Sequence, residues 1–135
     1  MDLEQLFSDY GAAIADGDPN RTAGFYGFPV TTITDDFVGF LDSPAALRWT
    51  LAQARESYRQ WGVTATTHEL LAVEQVSEKI ARVRVRWRYV GPDGAPLIEP
   101  TYEYVIHEDS TGPRIHVVVS VGEQPEIAAV LAQRA

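Results

Sequence analysis

A chain of 135 residues with 45% hydrophobic and 22% charged residues has the size and composition of one globular domain with its own core. It contains no cysteine, which excludes disulfides and thiolate chemistry, and its net charge of -8 disfavours binding to nucleic acid or to an anionic membrane. The acidic start lacks the features of a secretory signal and no run reaches the ~20 apolar residues of a membrane span, so we expect a cytoplasmic protein.

The chain begins with two predicted helices. Asp2 is a capping residue and Gly17 a stop signal, and between them apolar residues recur at three- and four-residue spacing: Leu3, Leu6, Phe7, Tyr10 and Ile14. Asp18-Pro19 then has the composition of a helix start. This second helix is short, and we expect glycine and proline to interrupt it by Phe28.

Residues 30–40 are rich in β-branched and aromatic side chains and are split by Asp35-Asp36, which predicts two short strands joined by a turn. Ser43-Pro44 opens the longest predicted helix, over residues 44–61, and Gly62 ends it. One face of this helix carries Leu47, Leu51, Ala54, Tyr58 and Trp61. We expect Arg48, Arg55 and Arg59 to lie off that stripe.

The remaining pattern is mostly that of strands. Alternating and β-branched segments over residues 68–76, 80–90, 101–107 and 115–121 are separated by turn residues, which predicts an antiparallel meander. A last short helix is predicted over residues 125–132. A sheet of this length must curl around the three helices, which leaves a cavity between the long helix and the sheet.

This order of elements resembles the nuclear transport factor 2-like, or cystatin-like, superfamily, which includes ketosteroid isomerases, SnoaL-like polyketide cyclases and scytalone dehydratase. The run from Tyr10 to Asp18 is similar to the first-helix signature of the ketosteroid isomerases. The resemblance implies an α+β fold in which a cone-shaped, curved antiparallel or mixed β-sheet wraps around three N-terminal helices. It also implies one SnoaL-like domain over residues 1–135.

The resemblance also implies candidate catalytic residues. Tyr10 occupies the position of the isomerases' oxyanion-hole tyrosine, and a buried phenol can donate to a developing enolate. The isomerase base position falls on Thr34, which takes no proton near neutral pH, so Asp36 (or Asp35) would have to serve after a shift of the hairpin. The alternatives are a core aromatic at Tyr10 and a solvated turn at Asp35-Asp36.

An aromatic-rich interior suits a flat apolar ligand. The candidate ligand-binding residues are Trp49, Tyr58, Trp87, Tyr102, Tyr104 and His116. The three histidines lie on three different predicted strands without the tight spacing of metal ligands, so neither a metal nor another cofactor is expected.

Four arginines alternate with apolar residues between Arg82 and Arg88, which places their guanidinium groups on one face of a strand. Burying them would be costly, so we expect this face to be the outer one, where Glu69 and Glu103 are possible partners. Such a face predicts a homodimer interface. Two functions remain open: a small hydrophobic molecule bound in the cavity, with or without cofactor-free acid–base catalysis, or a non-catalytic homodimeric association module.

Overall fold

The structure, a computed structural model, describes residues 1–35 and 38–121. It confirms the α+β fold, in which helices precede and accompany a curved, unclosed sheet that has seven strands within these residues. Two predictions lie outside the described residues, namely the helix over residues 125–132 and the position of Asp36.

The helices are α1 (Leu3–Asp16), α2 (Pro19–Ala23) and α3 (Pro44–Trp61). Their starts follow from capping, because the side chains of Asp2, Asp18 and Ser43 each accept a hydrogen bond from a backbone N–H of the first turn. Gly17 and Gly62 end α1 and α3 in the left-handed conformation, at φ of 77° and 84°. Within the described part of the chain no helix is long and apolar enough to cross a bilayer.

The seven strands form one mixed sheet in the order β2-β1-β7-β6-β4-β3, with β5 paired to β4. β1 and β7 are parallel and every other pair is antiparallel. The predicted meander corresponds to the neighbours β3, β4, β6 and β7. The strands are β1 (Tyr26–Ile33), β2 (Val38–Leu41), β3 (Ala65–Ser77), β4 (Ile80–Val90), β5 (Pro96–Ile98), β6 (Thr101–Asp109) and β7 (Gly112–Ser120).

The second helix is short and ends before Phe28, as expected, because α2 stops at Ala23 with Gly24 as its C-cap. β1 begins at Tyr26, four residues before the predicted strand. The predicted strand start at Val30 is therefore too late, because β1 already includes Pro29. The pairing of β1 with β7 shifts register between Tyr26 and Thr31, and a proline without an N–H is tolerated at such an irregularity. The extra strand length brings Tyr26 into the sheet beside Ile115.

The two faces of the sheet differ as the alternation in β4 predicts. Val83, Val85, Trp87 and Tyr89 are buried on the inner face, and the four arginines that alternate with them are exposed on the outer face. α1 packs against β3, and the Phe7 ring packs edge-on to Trp87 with ring centroids 6.2 Å apart. The helices therefore cover the inner face and form the core there.

Candidate functional site

A cavity of about 170 Å³ lies between the helices and the inner face of the sheet. Its walls contain all six tyrosines of the chain. The lining residues are Tyr10, Ile14, Gly17, Pro19, Thr22, Tyr26, Leu51, Arg55, Tyr58, Tyr89, Tyr102, Tyr104 and Val118. We call this cavity the tyrosine pocket.

Sequence periodicity explains why the tyrosines converge. Tyr10 lies on the buried stripe of α1 and Tyr58 on that of α3, so both helices direct a phenol towards the sheet. The other four tyrosines come from β1, β4 and β6. In β6, Tyr102 and Tyr104 are two residues apart and so point to the same inner face, while Glu103 between them belongs to the outer face.

Hydrogen bonds inside the pocket leave donors for a ligand. The hydroxyls of Tyr10 and Tyr26 bond each other, so one of their two hydroxyl hydrogens stays available. The indole Nε1–H of Trp87 donates to the Tyr104 hydroxyl over 2.8 Å. Because an indole N–H cannot accept, the hydrogen of Tyr104 is left for another acceptor. Tyr102 lines the pocket without a hydrogen-bond partner for its hydroxyl among the described residues.

Burial keeps these phenols protonated. It raises the pKa of Tyr26 to about 12. It also raises the pKa of Tyr10 well above its usual range, and the neighbouring Tyr26 phenol adds to that rise. Burial likewise raises the pKa of Tyr58, Tyr89, Tyr102 and Tyr104. At neutral pH the tyrosines are therefore hydrogen-bond donors and acceptors and cannot act as bases.

One cation lies at the pocket. Arg55 on α3 is exposed, lines the pocket and runs over the C-terminal end of α1, where a Cβ added at Gly17 would lie 2.9 Å from its Nε. Gly17 thus serves two purposes, because it adopts a positive φ and leaves room for this arginine. No carboxylate or imidazole is present among the described lining residues.

The structure places Tyr10, Tyr58, Tyr102 and Tyr104 together in the pocket, as predicted for the wall of the cavity. Thr34, the residue at the isomerase base position, lies outside it. Among residues 1–35 and 38–121, no group of three or more His, Asp or Glu side chains is close enough together to hold a metal ion.

Three predicted pocket residues need correction. Trp49 is 68% exposed because it lies two residues, or about 200° of helix rotation, from Leu47 on the buried stripe of α3. Trp87 is fully buried but lies behind the wall, since Tyr10 and Tyr104 cover it from the pocket side. His116 lies beside Gly27 of β1, with Nδ1 3.3 Å from the Pro29 carbonyl, away from the pocket.

The predicted ligand-binding residues left out three lining residues that have a readable signal. Tyr89 alternates with Trp87 on the inner face of β4, and Arg55 lies four residues after Leu51 and three before Tyr58, on the flank of the apolar stripe. Arg55 thus lies off the stripe, as expected, but close enough to it to line the pocket. Tyr26 is one of the aromatic residues expected in the interior, and it lines the pocket from the first position of β1.

Comparisons with known proteins are consistent with this architecture. A family model described as NTF2-like protein (DUF6841) matches residues 1–123. No curated protein matches the sequence.

Solved structures with the same architecture are distant in sequence. A domain of unknown function with a cystatin-like fold from Nostoc punctiforme is similar at a TM-score of 0.70 and 16% identity, over 97% of this chain and 82% of that one. An NTF-2 like protein of unknown function from Shewanella oneidensis is similar at a TM-score of 0.66 and 17% identity, over 88% of this chain and 95% of that one. A ketosteroid isomerase-like protein from Erwinia carotovora atroseptica is similar at a TM-score of 0.61 and 15% identity, over 89% of this chain and 94% of that one. At these identities the likeness shows the fold alone.

Proposed function

The chain belongs to the family of NTF2-like proteins (DUF6841), and on that premise we propose that it binds a small molecule containing one aromatic or apolar ring. The observation that supports this proposal most directly is the convergence of all six tyrosines on one cavity. Aromatic walls with a few polar groups are typical of sites for small flat ligands.

The size of the tyrosine pocket sets the size of the ligand. An apolar cavity of roughly 150 Å³ is known to hold benzene, whereas pockets for drug-sized ligands occupy about 300–1,000 Å³. At about 170 Å³, the tyrosine pocket has room for one ring with a small substituent. A four-ring steroid does not fit this volume, which argues against steroid isomerisation.

The polar groups of the pocket favour a ligand that accepts hydrogen bonds. The protonated phenols of Tyr102 and Tyr104 each offer a hydrogen, and the Tyr10–Tyr26 pair offers another. A carbonyl or hydroxyl substituent on the ring would meet these donors in a largely water-free site, where a hydrogen bond left unmade costs more than in water.

Titration with benzamide tests the proposal, because benzamide is neutral, has one ring and carries a carbonyl acceptor. We expect roughly millimolar binding, as for other ligands of this size, with NMR shifts at the backbone amides of the lining residues and at the Trp87 indole. The cavity-filling variant Val118→Phe should lose these shifts. Absence of shifts in the wild-type protein would refute the proposal.

A matched control separates filling of the pocket from a general effect of phenylalanine. Val73 on β3 is 52% exposed and lies outside the pocket, so Val73→Phe makes the same chemical change at the surface. We expect Val73→Phe to bind benzamide like the wild-type protein. Equal loss in both variants would contradict binding in the tyrosine pocket.

Catalysis in this pocket is a further step of the proposal. Tyr10 would donate to an oxyanion that develops on the ligand, supported by its hydrogen bond to Tyr26 and its burial. The described lining residues include no base, and the base predicted from the sequence, Asp36, lies outside the described residues. If a substrate is found, Tyr10→Phe should slow turnover by roughly a hundredfold or more while ligand affinity changes by about tenfold or less.

We also propose that two copies associate through the outer face of the sheet. Register pairs connect Phe40 to Thr31, Thr31 to Val117 and Val117 to Val105, so these residues share the outer face. Phe40 is 67% exposed, which leaves a large apolar side chain in solvent.

The same face continues into charged residues of both signs. Val105 pairs with Arg82, and Arg82 and Arg84 both approach Glu103, with N–O distances of 3.7 and 3.6 Å. A face that carries arginines and glutamates beside an apolar strip can be complementary to a second copy of itself across a two-fold axis.

A further inference from the structure

We propose that the ligand of the tyrosine pocket carries a carboxylate, which binds Arg55 at the pocket mouth while the ring occupies the interior. This inference rests on the proposed function and specifies its ligand class. The structural basis is a guanidinium group at the opening of an otherwise uncharged pocket.

Arg55 forms no ion pair within the described residues, although, after the hydrogen bond from Arg59, its charge contributes to lowering the pKa of neighbouring Glu56. Six of the described arginines form ion pairs with carboxylates on the surface, whereas Arg55 has no carboxylate within salt-bridge distance in the described residues. On the same helix, Arg59 bonds Glu56 over 2.6 Å, so acidic partners are available to α3 in general. Arg48 and Arg114 also lack such a partner among the described residues, but neither of them lines the pocket.

The position of Arg55 is determined by the elements around it. α3 places it between Leu51 and Tyr58, which both line the pocket, and Gly17 at the end of α1 gives its side chain space. The C-terminal end of α1 carries partial negative charge, which favours a cation nearby. The guanidinium is therefore held at the entrance, where its planar N–H groups suit the two oxygens of a carboxylate.

The chemistry of the wall agrees with an anion that has an apolar body. The described lining residues offer phenolic donors, the Arg55 guanidinium and aliphatic surface from Ile14, Leu51 and Val118, with no negative charge to repel a carboxylate. A ligand with an amine in place of the carboxylate would meet a like charge at the entrance.

Paired titrations with benzoate and benzamide test the inference, because the two probes have nearly the same shape and differ in charge. In the wild-type protein we expect benzoate to bind roughly five- to tenfold more tightly than benzamide, as for a partly exposed charged hydrogen bond. In Arg55→Gln, benzoate should lose this advantage and benzamide affinity should be unchanged. Added salt should weaken benzoate binding only.

Arg48→Gln is the matched control. Arg48 is on the same helix, exposed, outside the pocket and also without an ion pair in the described residues, so it changes the net charge equally. If benzamide binds as tightly as benzoate, or if Arg48→Gln lowers benzoate affinity as much as Arg55→Gln, the inference is overturned while the proposed function stands. If neither probe binds, both are overturned.

Discussion

Raising the pH should unfold this protein in one cooperative step that releases the protons of its tyrosines together. Burial raises the pKa of all six, and for Tyr26 it takes the pKa from 10.0 to about 12. A raised folded-state pKa means that the fold favours the neutral phenol. The corresponding stability is fully present below pH ~10 and is lost as the pH rises towards the folded-state values.

The magnitude follows from the number of buried phenols. Above pH ~10 the tyrosines of an unfolded chain are deprotonated, whereas the buried tyrosines of the folded chain keep their protons. Each such difference lowers the free energy of unfolding by about 1.4 kcal/mol per pH unit. Six such groups together reduce the free energy of unfolding by at most roughly 8 kcal/mol per pH unit. Since domains have about 5–15 kcal/mol in total, we expect a midpoint near pH ~11 to 12.

Phenolate absorbance and circular dichroism, recorded across the same pH titration, provide the assay. Both signals should change together. The number of protons released in the transition, read from its steepness against pH, should fall from six to five in Tyr102→Phe. The chain has a single lysine, Lys79, so few other groups titrate in this range. Phenolate absorbance that rises around pH ~10 while the circular dichroism stays native would refute the burial of these hydroxyls.

Three further predictions concern individual residues. Tyr104→Phe should lower the free energy of unfolding by about 1–3 kcal/mol in urea denaturation, because it leaves the buried Trp87 Nε1–H without its acceptor. Tyr102→Phe should lower the free energy of unfolding less, and equal losses in the two variants would contradict this reasoning. Gly17→Ala and Gly94→Ala, both at positive φ, should each destabilise the protein by about 1 kcal/mol. Only Gly17→Ala should weaken benzoate binding, because only its Cβ would displace Arg55. Light scattering should show a homodimer that Phe40→Asp converts to monomers, and a monomeric wild-type protein would contradict association through the outer face.

The fold was predictable from the sequence because its signals are local. Capping residues and glycine stops located α1 and α3 to within a residue, and alternation located β4 at residues 80–90. The prediction was wrong for the start of β1, which depends on pairing with a strand that is distant in the sequence. β1 extends past Pro29 because it runs parallel to β7, a contact between residues some ninety positions apart that no local pattern contains.

The site was predictable only in part, for the same reason. Periodicity gives the face on which a side chain lies, so Tyr10, Tyr58, Tyr102 and Tyr104 were placed correctly on the cavity wall. Periodicity does not tell which inner-face residues another element will cover. Trp87 is on the predicted face, but the rings of α1 pack over it and separate it from the pocket.

The same desolvation that keeps the tyrosines neutral also determines how a carboxylate ligand would bind. A site that raises the pKa of Tyr10 and Tyr104 disfavours negative charge in its interior, whether on a phenolate or on a ligand. A carboxylate placed deep between these phenols would lose its hydration without gaining a cation. At the mouth it keeps contact with water and gains Arg55, while the ring replaces water against the aromatic walls. The orientation with the ring inside and the carboxylate at the entrance is therefore the one in which burial and charge favour the same pose.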